Sequence, residues 1–206
     1  MTDRSPIIYV VDDDDSVRRA VALLLNTHGF RVRTFARAWD FLNYKHPRVP
    51  ACLVLDVRLP DITGPLLQET MAAEKLDIPI VFITGHGNIP ISVKAMKGGA
   101  VDFLPKPFTA KDLLNAIDQA LSRSKKQNVD QTEISAIKRR MKTLSPRELE
   151  VFRFVAKGML NKQIARKRGT SLQTIKVHRG RVMHKMQAKT VTELIRFAQK
   201  AGLVSA

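Results

Sequence analysis

The chain has 206 residues, of which 44% are apolar and 26% charged, so it has room for two compact domains of ordinary size. No run of about 18 apolar residues exists, there is no apolar leader segment, and the single cysteine, Cys52, excludes an internal disulfide; these features point to a cytoplasmic protein with no membrane span. The net charge of +16 is confined to one end: residues 1–121 carry 14 Lys and Arg against 14 Asp and Glu, whereas residues 122–206 carry 21 against 5. Such a split predicts two modules with different partners, the second of them meeting a polyanion.

In chain order, apolar runs predict strands at 7–11, 31–35, 52–55, 80–83 and 101–104. Amphipathic stretches between them predict helices at 15–28, 36–45, 64–75 and 89–98, with a fifth from Thr109 onward. Alternating strand and helix implies an α/β domain with a doubly wound parallel sheet covered on both faces. Residues 122–133 are polar on every side, and no Gly or Pro occurs between Pro107 and Pro146. That stretch reads either as a continuation of the fifth helix or as a flexible linker. Beyond it there is no strand pattern. Ser145, Pro146 and Glu148 form a helix start with a capping box, and further helices are expected at 161–167, 172–186 and 190–201.

In an open doubly wound sheet, ligands collect at the carboxyl ends of the strands. Here those ends carry Asp12–Asp15, Asp56, Thr84 and Lys106-Pro107. Clustered carboxylates need a cation, and an all-oxygen set suits Mg2+. Asp56 can then serve as a nucleophile, with Lys106 opposing charge on a transferring phosphoryl group. Each residue alone also has an ordinary role, as a helix cap, a turn or a loop. Agreement among four strand ends favours the phosphoryl pocket.

The runs VVDDDD at 10–15, DVRLPDITG at 56–64, ITGHG at 83–87 and AVDFLPKPF at 100–108 resemble a response-regulator receiver domain of the FixJ branch. The resemblance implies five strands in the order 2-1-3-4-5. It also implies that Asp56 is the phosphoacceptor and that Asp12, Asp13, Asp56 and the Arg58 carbonyl hold Mg2+. Thr84 becomes the switch hydroxyl, Phe103 the switch aromatic and Lys106 the phosphate-binding lysine, in a Lys106–Pro107 bond expected to be cis. Arg58 and His86 are expected to line access to the phosphate and to affect its lifetime. Val93, Met96 and Lys97 are candidates for a dimer face.

The stretch 158–186 has the form of helix, tight turn, helix, with Gly169 at the turn and Ser171 as a cap. On a helix over 172–186, Ile175, Val182 and Met186 share one face, with His178 and Lys185 at its edge. The opposite face holds Gln173, Lys176, Val177, Gly180, Arg181 and His184, the basic, hydrogen-bonding surface that a major-groove reader needs. Gly180 permits close backbone approach, and Arg179 falls on the flank, where it would clamp a phosphate. His178 reads as a packed histidine rather than a metal ligand. LSPRE at 144–148, NKQIA at 161–165 and TIKVH at 174–178 resemble the LuxR-type helix-turn-helix of the NarL/FixJ regulators. That resemblance places Lys176 and Val177 at base edges and makes Val191, Leu194 and Ile195 candidates for a dimer contact on DNA. Arg168 and Thr170 depart from the Leu and Ile usual there, so Arg168 must snorkel or pair with an acid or a phosphate.

Together these features predict a receiver domain at 1–121, a helical or flexible linker at 122–142 and a small all-α helix-turn-helix domain at 143–206. The function expected is a transcriptional regulator of a two-component system, not an enzyme. Phosphoryl transfer from a histidine kinase to Asp56 would promote a homodimer on a two-fold promoter site in double-stranded DNA, in contact with RNA polymerase. The alternative is a constitutive DNA-binder whose receiver only docks. A phosphatase or phosphotransferase acting through Asp56 lacks an obvious general acid, because Arg58 stands two residues on.

Overall fold

The computed structural model describes residues 5–85 and 89–204. The chain divides into two compact units, one ending at Asn128 and the other beginning at Val129.

In the first unit the strands are β1 (Ile7–Val11), β2 (Arg31–Phe35), β3 (Ala51–Asp56), β4 (Ile80–Thr84) and β5 (Asp102–Pro105). They form one parallel sheet in the order β2-β1-β3-β4-β5. Parallel neighbours require crossovers, supplied by α1 (Asp15–Thr27), α2 (Ala38–Leu42), α3 (Gly64–Ala73) and α4 (Ile89–Lys97), while α5 (Ala110–Met141) follows β5. Side chains alternate across the pleat, so Ile7, Tyr9 and Val11 enter one apolar layer with Leu53, Leu55 and Phe82. Ile8 and Val10 enter the other, with Val54, Ile83, Leu25 and Ile117. β1, β3 and β4 are buried along their whole length, which is why they read as unbroken apolar runs. Edge strand β2 instead exposes Arg31 and Arg33, charges that discourage further strand pairing.

Two helices are shorter than the pattern suggests. α2 has no local side-chain cap. Its first amides, those of Ala38 and Trp39, donate to the Asp61 carboxylate from the loop after β3. α3 stops at Ala73 because Lys75 takes a left-handed conformation with φ 60° and the Leu76 amide turns back to the Met71 carbonyl.

Through the stretch 122–141 the chain is helical. Its first part belongs to the first unit, and its polar side chains do not all face solvent. Ser124 is only 3% exposed, and its hydroxyl accepts the Ala51 amide at 3.0 Å, where β3 begins. Arg123 donates to the Gly99 carbonyl and Gln127 to the Asp77 carboxylate. Ser124→Ala would strand the Ala51 amide in a dry site and is expected to cost about 1–3 kcal/mol of stability in urea unfolding. A wild-type midpoint in that variant would show that the bond carries nothing.

The second unit packs the end of α5 with α6 (Pro146–Ala156), α7 (Asn161–Arg168), α8 (Leu172–Met186) and α9 (Val191–Lys200). Its core gathers Ile137, Phe152, Ile164, Ile175, Val182, Met186, Leu194 and Phe197. The capping box at Ser145 and Glu148 is present, and Gly169 turns the chain after α7 with φ 60°. Leu194, expected at a dimer surface, is wholly buried in this core because it lies on the inner face of α9. Val191 and Ile195 are half-buried.

Candidate functional site

The run of four aspartates before α1 separates into distinct roles. Asp14 caps α1, accepting the amides of Ser16 at 2.8 Å and Val17 at 3.2 Å. Asp15 sits in the first turn and pairs with Arg18 and Arg19. Asp13 is exposed. Asp12 is fully buried and turns towards the carboxyl end of the sheet, its Oδ1 accepting the Asp14 amide at 2.9 Å. Arg18, which the sequence motifs did not single out, donates to the carbonyls of Asp12 and Asp13 and so ties this loop to α1.

Lys106 reaches from the end of β5 into the same place. Its Nζ lies 2.7 Å from Asp12 Oδ2 and 2.7 Å from Asp56 Oδ1. The other Asp56 oxygen, Oδ2, accepts the Arg58 amide at 2.6 Å. The Lys106 amide donates to the Thr84 carbonyl at 2.6 Å, and Lys106–Pro107 is cis. Asp56, Thr84 and Lys106 are thus brought together from three neighbouring strands, with Asp12 from a fourth. Thr84 is 2% exposed. Phe103 is half-buried against the apolar layer that contains Phe82, with ring centroids 6.1 Å apart. Arg58 is exposed at the rim. His86 falls outside the described residues, whereas Val93, Met96 and Lys97 lie exposed on α4.

Burial raises the Asp12 carboxyl above its ordinary range, and the Lys106 ammonium offsets only part of that rise. Burial also pulls Lys106 down, but its hydrogen bonds to Asp12 and Asp56 outweigh this and leave it raised. The pocket is therefore a pair of close carboxylates held by one cation.

The donor set fits a hard divalent cation. Asp12, Asp13 and Asp56 offer carboxylate oxygens, and the Arg58 peptide adds a carbonyl. Among the described residues no three Asp, Glu, His or Cys side chains stand close enough to enclose a metal. Mg2+ needs no such cage, since it binds through one or two carboxylates and keeps several waters.

Gly64, at the start of α3, lets the loop after β3 close over Asp56. A Cβ there would stand 2.6 Å from the Asp56 carbonyl oxygen and 2.9 Å from the Phe82 ring. Gly64→Ala is expected to cost about 1–3 kcal/mol in urea unfolding, because backbone must move to relieve the contact. Unchanged stability would contradict so tight an approach.

In the second unit the outward face of α8 is as the helical projection predicts. Gln173, Lys176, Val177, Gly180, Arg181 and His184 are all exposed, and Ile175, Val182 and Met186 are buried. Arg179 is half-buried on the flank and donates to Asn161 Oδ1 at 2.8 Å, which orients the guanidinium towards α7. Arg168 finds an acid, Glu150, at 2.9 Å, so a charge replaces apolar packing at that position without being stranded.

Glu148 lies buried beneath α8. It accepts the Ser145 amide at 2.8 Å and Lys185 Nζ at 2.7 Å. The Lys185 ammonium first, and then the Ser145 amide, hold its carboxyl below the usual glutamate range. A carboxyl lowered in the folded state adds stability above its unfolded-state range, and that stability is lost as pH falls through the folded value. Acidification from neutral should therefore lower the urea midpoint of this unit more in wild type than in Glu148→Gln, read from the methyl signals of Ile164 and Met186. Equal losses in the two proteins would remove Glu148 from the explanation.

Comparisons with known proteins cover both units. Residues 8–118 match the response regulator receiver domain family, and residues 142–198 match the bacterial regulatory proteins of the luxR family. Nodulation protein W of Bradyrhizobium diazoefficiens is 45% identical over 96% of this chain and 87% of its own length. The transcriptional regulatory protein FixJ of the same organism is 40% identical over 96% of this chain and 97% of its own. The structure of the response regulator StyR superposes with a TM-score of 0.79 at 41% identity, covering 95% of this chain and 99% of that one. A carboxylate pocket at the strand ends and an exposed basic helix thus occur in a chain aligned along nearly its whole length with such proteins: it belongs to the response regulators that join a receiver domain to a LuxR-type DNA-binding domain.

Proposed function

We propose that Asp56 accepts a phosphoryl group from a histidine kinase and that this modification promotes dimeric binding to promoter DNA. The observation that carries the reading is the placement of Lys106 Nζ at 2.7 Å from both Asp12 and Asp56, at the carboxyl ends of the strands. An Asp56 carboxylate oxygen forms the new bond to phosphorus as the bond from phosphorus to the kinase histidine breaks, and the histidine keeps the electron pair. Arg58 N–H holds the other Asp56 oxygen and so orients the attacking one. Lys106 already sits beside that oxygen and can follow the charge onto the phosphoryl group. Asp12, Asp13, Asp56 and the Arg58 carbonyl are the groups that would hold Mg2+, with water filling its remaining positions, and the bound ion would supply positive charge beside the transferring group.

The modification adds about −1.5 to −2 charge and three acceptor oxygens. Thr84 turns its hydroxyl towards them, and Phe103 moves into the space it leaves. That rearranges the α4–β5 surface, where Val93, Met96 and Lys97 lie exposed and can form a dimer face. The unit ending at Asn128 acts as the receiver and the unit beginning at Val129 reads DNA, the two being joined along α5. The outer face of α8, Gln173, Lys176, Val177, Gly180, Arg181 and His184, enters the major groove, with Arg179 beside a phosphate. Val191 and Ile195 on α9 are the remaining candidates for contact between the two readers on a two-fold site. RNA polymerase is the partner at the promoter, and the cytoplasm is the compartment that holds kinase, DNA and polymerase together.

Acetyl phosphate with Mg2+ is expected to label the full chain at one site, and chelation of the metal is expected to prevent it. Labelling that ignores the metal, or no labelling, would overturn the proposal.

A further inference from the structure

Two surfaces flank the outward face of α8. On one side Arg179 is tied to Asn161, the first residue of α7. On the other, Lys185 donates to the Thr143 carbonyl at 3.1 Å and to Glu148 at 2.7 Å, which seats the turn between α5 and α6 beside α8. Arg140 adds a bond to the Met186 carbonyl at 3.3 Å. At 3.6 residues per turn, Arg179 and Lys185 leave α8 on opposite sides of its buried Ile175–Val182–Met186 stripe. A helix in the major groove has a phosphate backbone along each side.

The turn between α5 and α6 is basic. Ile137 is buried and Glu133 and Arg140 face inward, so Lys138, Arg139 and Lys142 fall on the outer side of α5, all exposed. Arg147, in the first turn of α6, is exposed as well. From residue 129 onward there are only five acidic residues, and each is already engaged. Glu133 and Asp130 face Lys200, Glu148 holds Lys185, Glu150 holds Arg168, and Glu193 accepts the Lys189 amide. Among the described residues none of Lys138, Arg139, Lys142 or Arg147 has a carboxylate partner.

We propose that this turn is a second DNA-contacting surface, in which Lys142 and Arg147, with Lys138 beside them, meet backbone phosphates along the groove edge opposite the one faced by α7. The proposal rests on the reading of α8 as the groove-facing helix. Phosphate contacts of this kind add affinity without sequence preference and fix the orientation of α8 on the duplex.

The test uses the full chain with Mg2+ and beryllofluoride, on a selected site and on a duplex of random sequence, across a salt series. Lys142→Gln with Arg147→Gln is compared with Arg153→Gln and Lys157→Gln, an equal loss of exposed charge towards the other end of α6. The slope of log affinity against log salt should fall in magnitude by about 2 for the first pair, alike on both duplexes. The second pair should leave it near wild type. An unchanged slope in the first pair, or an equal fall in the second, overturns the contact. If Lys176→Ala keeps the preference for the selected site, the reading of α8 fails instead; a wild-type chain that binds neither duplex overturns both.

Discussion

Asparagine in place of Asp56 is expected to reduce labelling by acetyl phosphate to background while leaving the receiver folded. The side chains are nearly the same shape, and the asparagine carbonyl oxygen can still accept the Arg58 amide that Asp56 Oδ2 accepts at 2.6 Å. What is lost is the charged oxygen beside Lys106, because a neutral amide is a poor nucleophile. Lys106 keeps its bond to Asp12, so the ammonium is not stranded. The substitution also removes one of two close carboxylates, which lowers their mutual repulsion. Stability should therefore hold or rise while the chemistry disappears. Label that persists at wild-type stoichiometry would move the phosphoacceptor to another member of the acidic cluster.

Phe152→Ala should have the opposite profile, with DNA binding lost and labelling retained. Phe152 is fully buried at the centre of the second unit, among Ile164, Ile175, Leu194 and Phe197. Truncating a buried phenylalanine costs about 3–5 kcal/mol. Domains are stable by only about 5–15 kcal/mol, and a unit this small has little in reserve. The two apolar layers of the receiver are built from residues up to Leu121 and contain nothing from the second core. Loss of helical signal with unchanged Mg2+-dependent labelling is the expected result. A variant that binds DNA as wild type does would show that this core tolerates the cavity.

The elements that sequence patterning located well are those in which one local property determines the outcome. β1, β3 and β4 are buried on both faces and so carry unbroken apolar runs. α8 begins and ends where Ser171 caps it and where Gln187 takes a left-handed conformation. The pocket was legible because a doubly wound sheet brings its strand ends together, so Asp12, Asp56, Thr84 and Lys106 could be placed before any distance was known.

What escaped depends on contacts between distant residues. Asp61 caps α2 from 23 residues away, and nothing near Ala38 signals it. Ser124 sits in a polar stretch, yet it is buried because the Ala51 amide needs an acceptor. Leu194 has the composition of an interface residue but faces the core. Glu148 is legible in the sequence as half of a capping box, but its second role beneath Lys185 depends on the packing of α6 on α8.

The chemical state of Asp56 is expected to govern DNA binding by the second unit. The most direct measurement is the affinity of the full chain for a selected duplex, before and after Mg2+ and beryllofluoride, in wild type and in Asp56→Asn. Wild type should tighten by about 5–150-fold, the range of ordinary coupling between two sites, and Asp56→Asn should not change. Equal affinity in wild type with and without beryllofluoride would show that Asp56 does not control DNA binding.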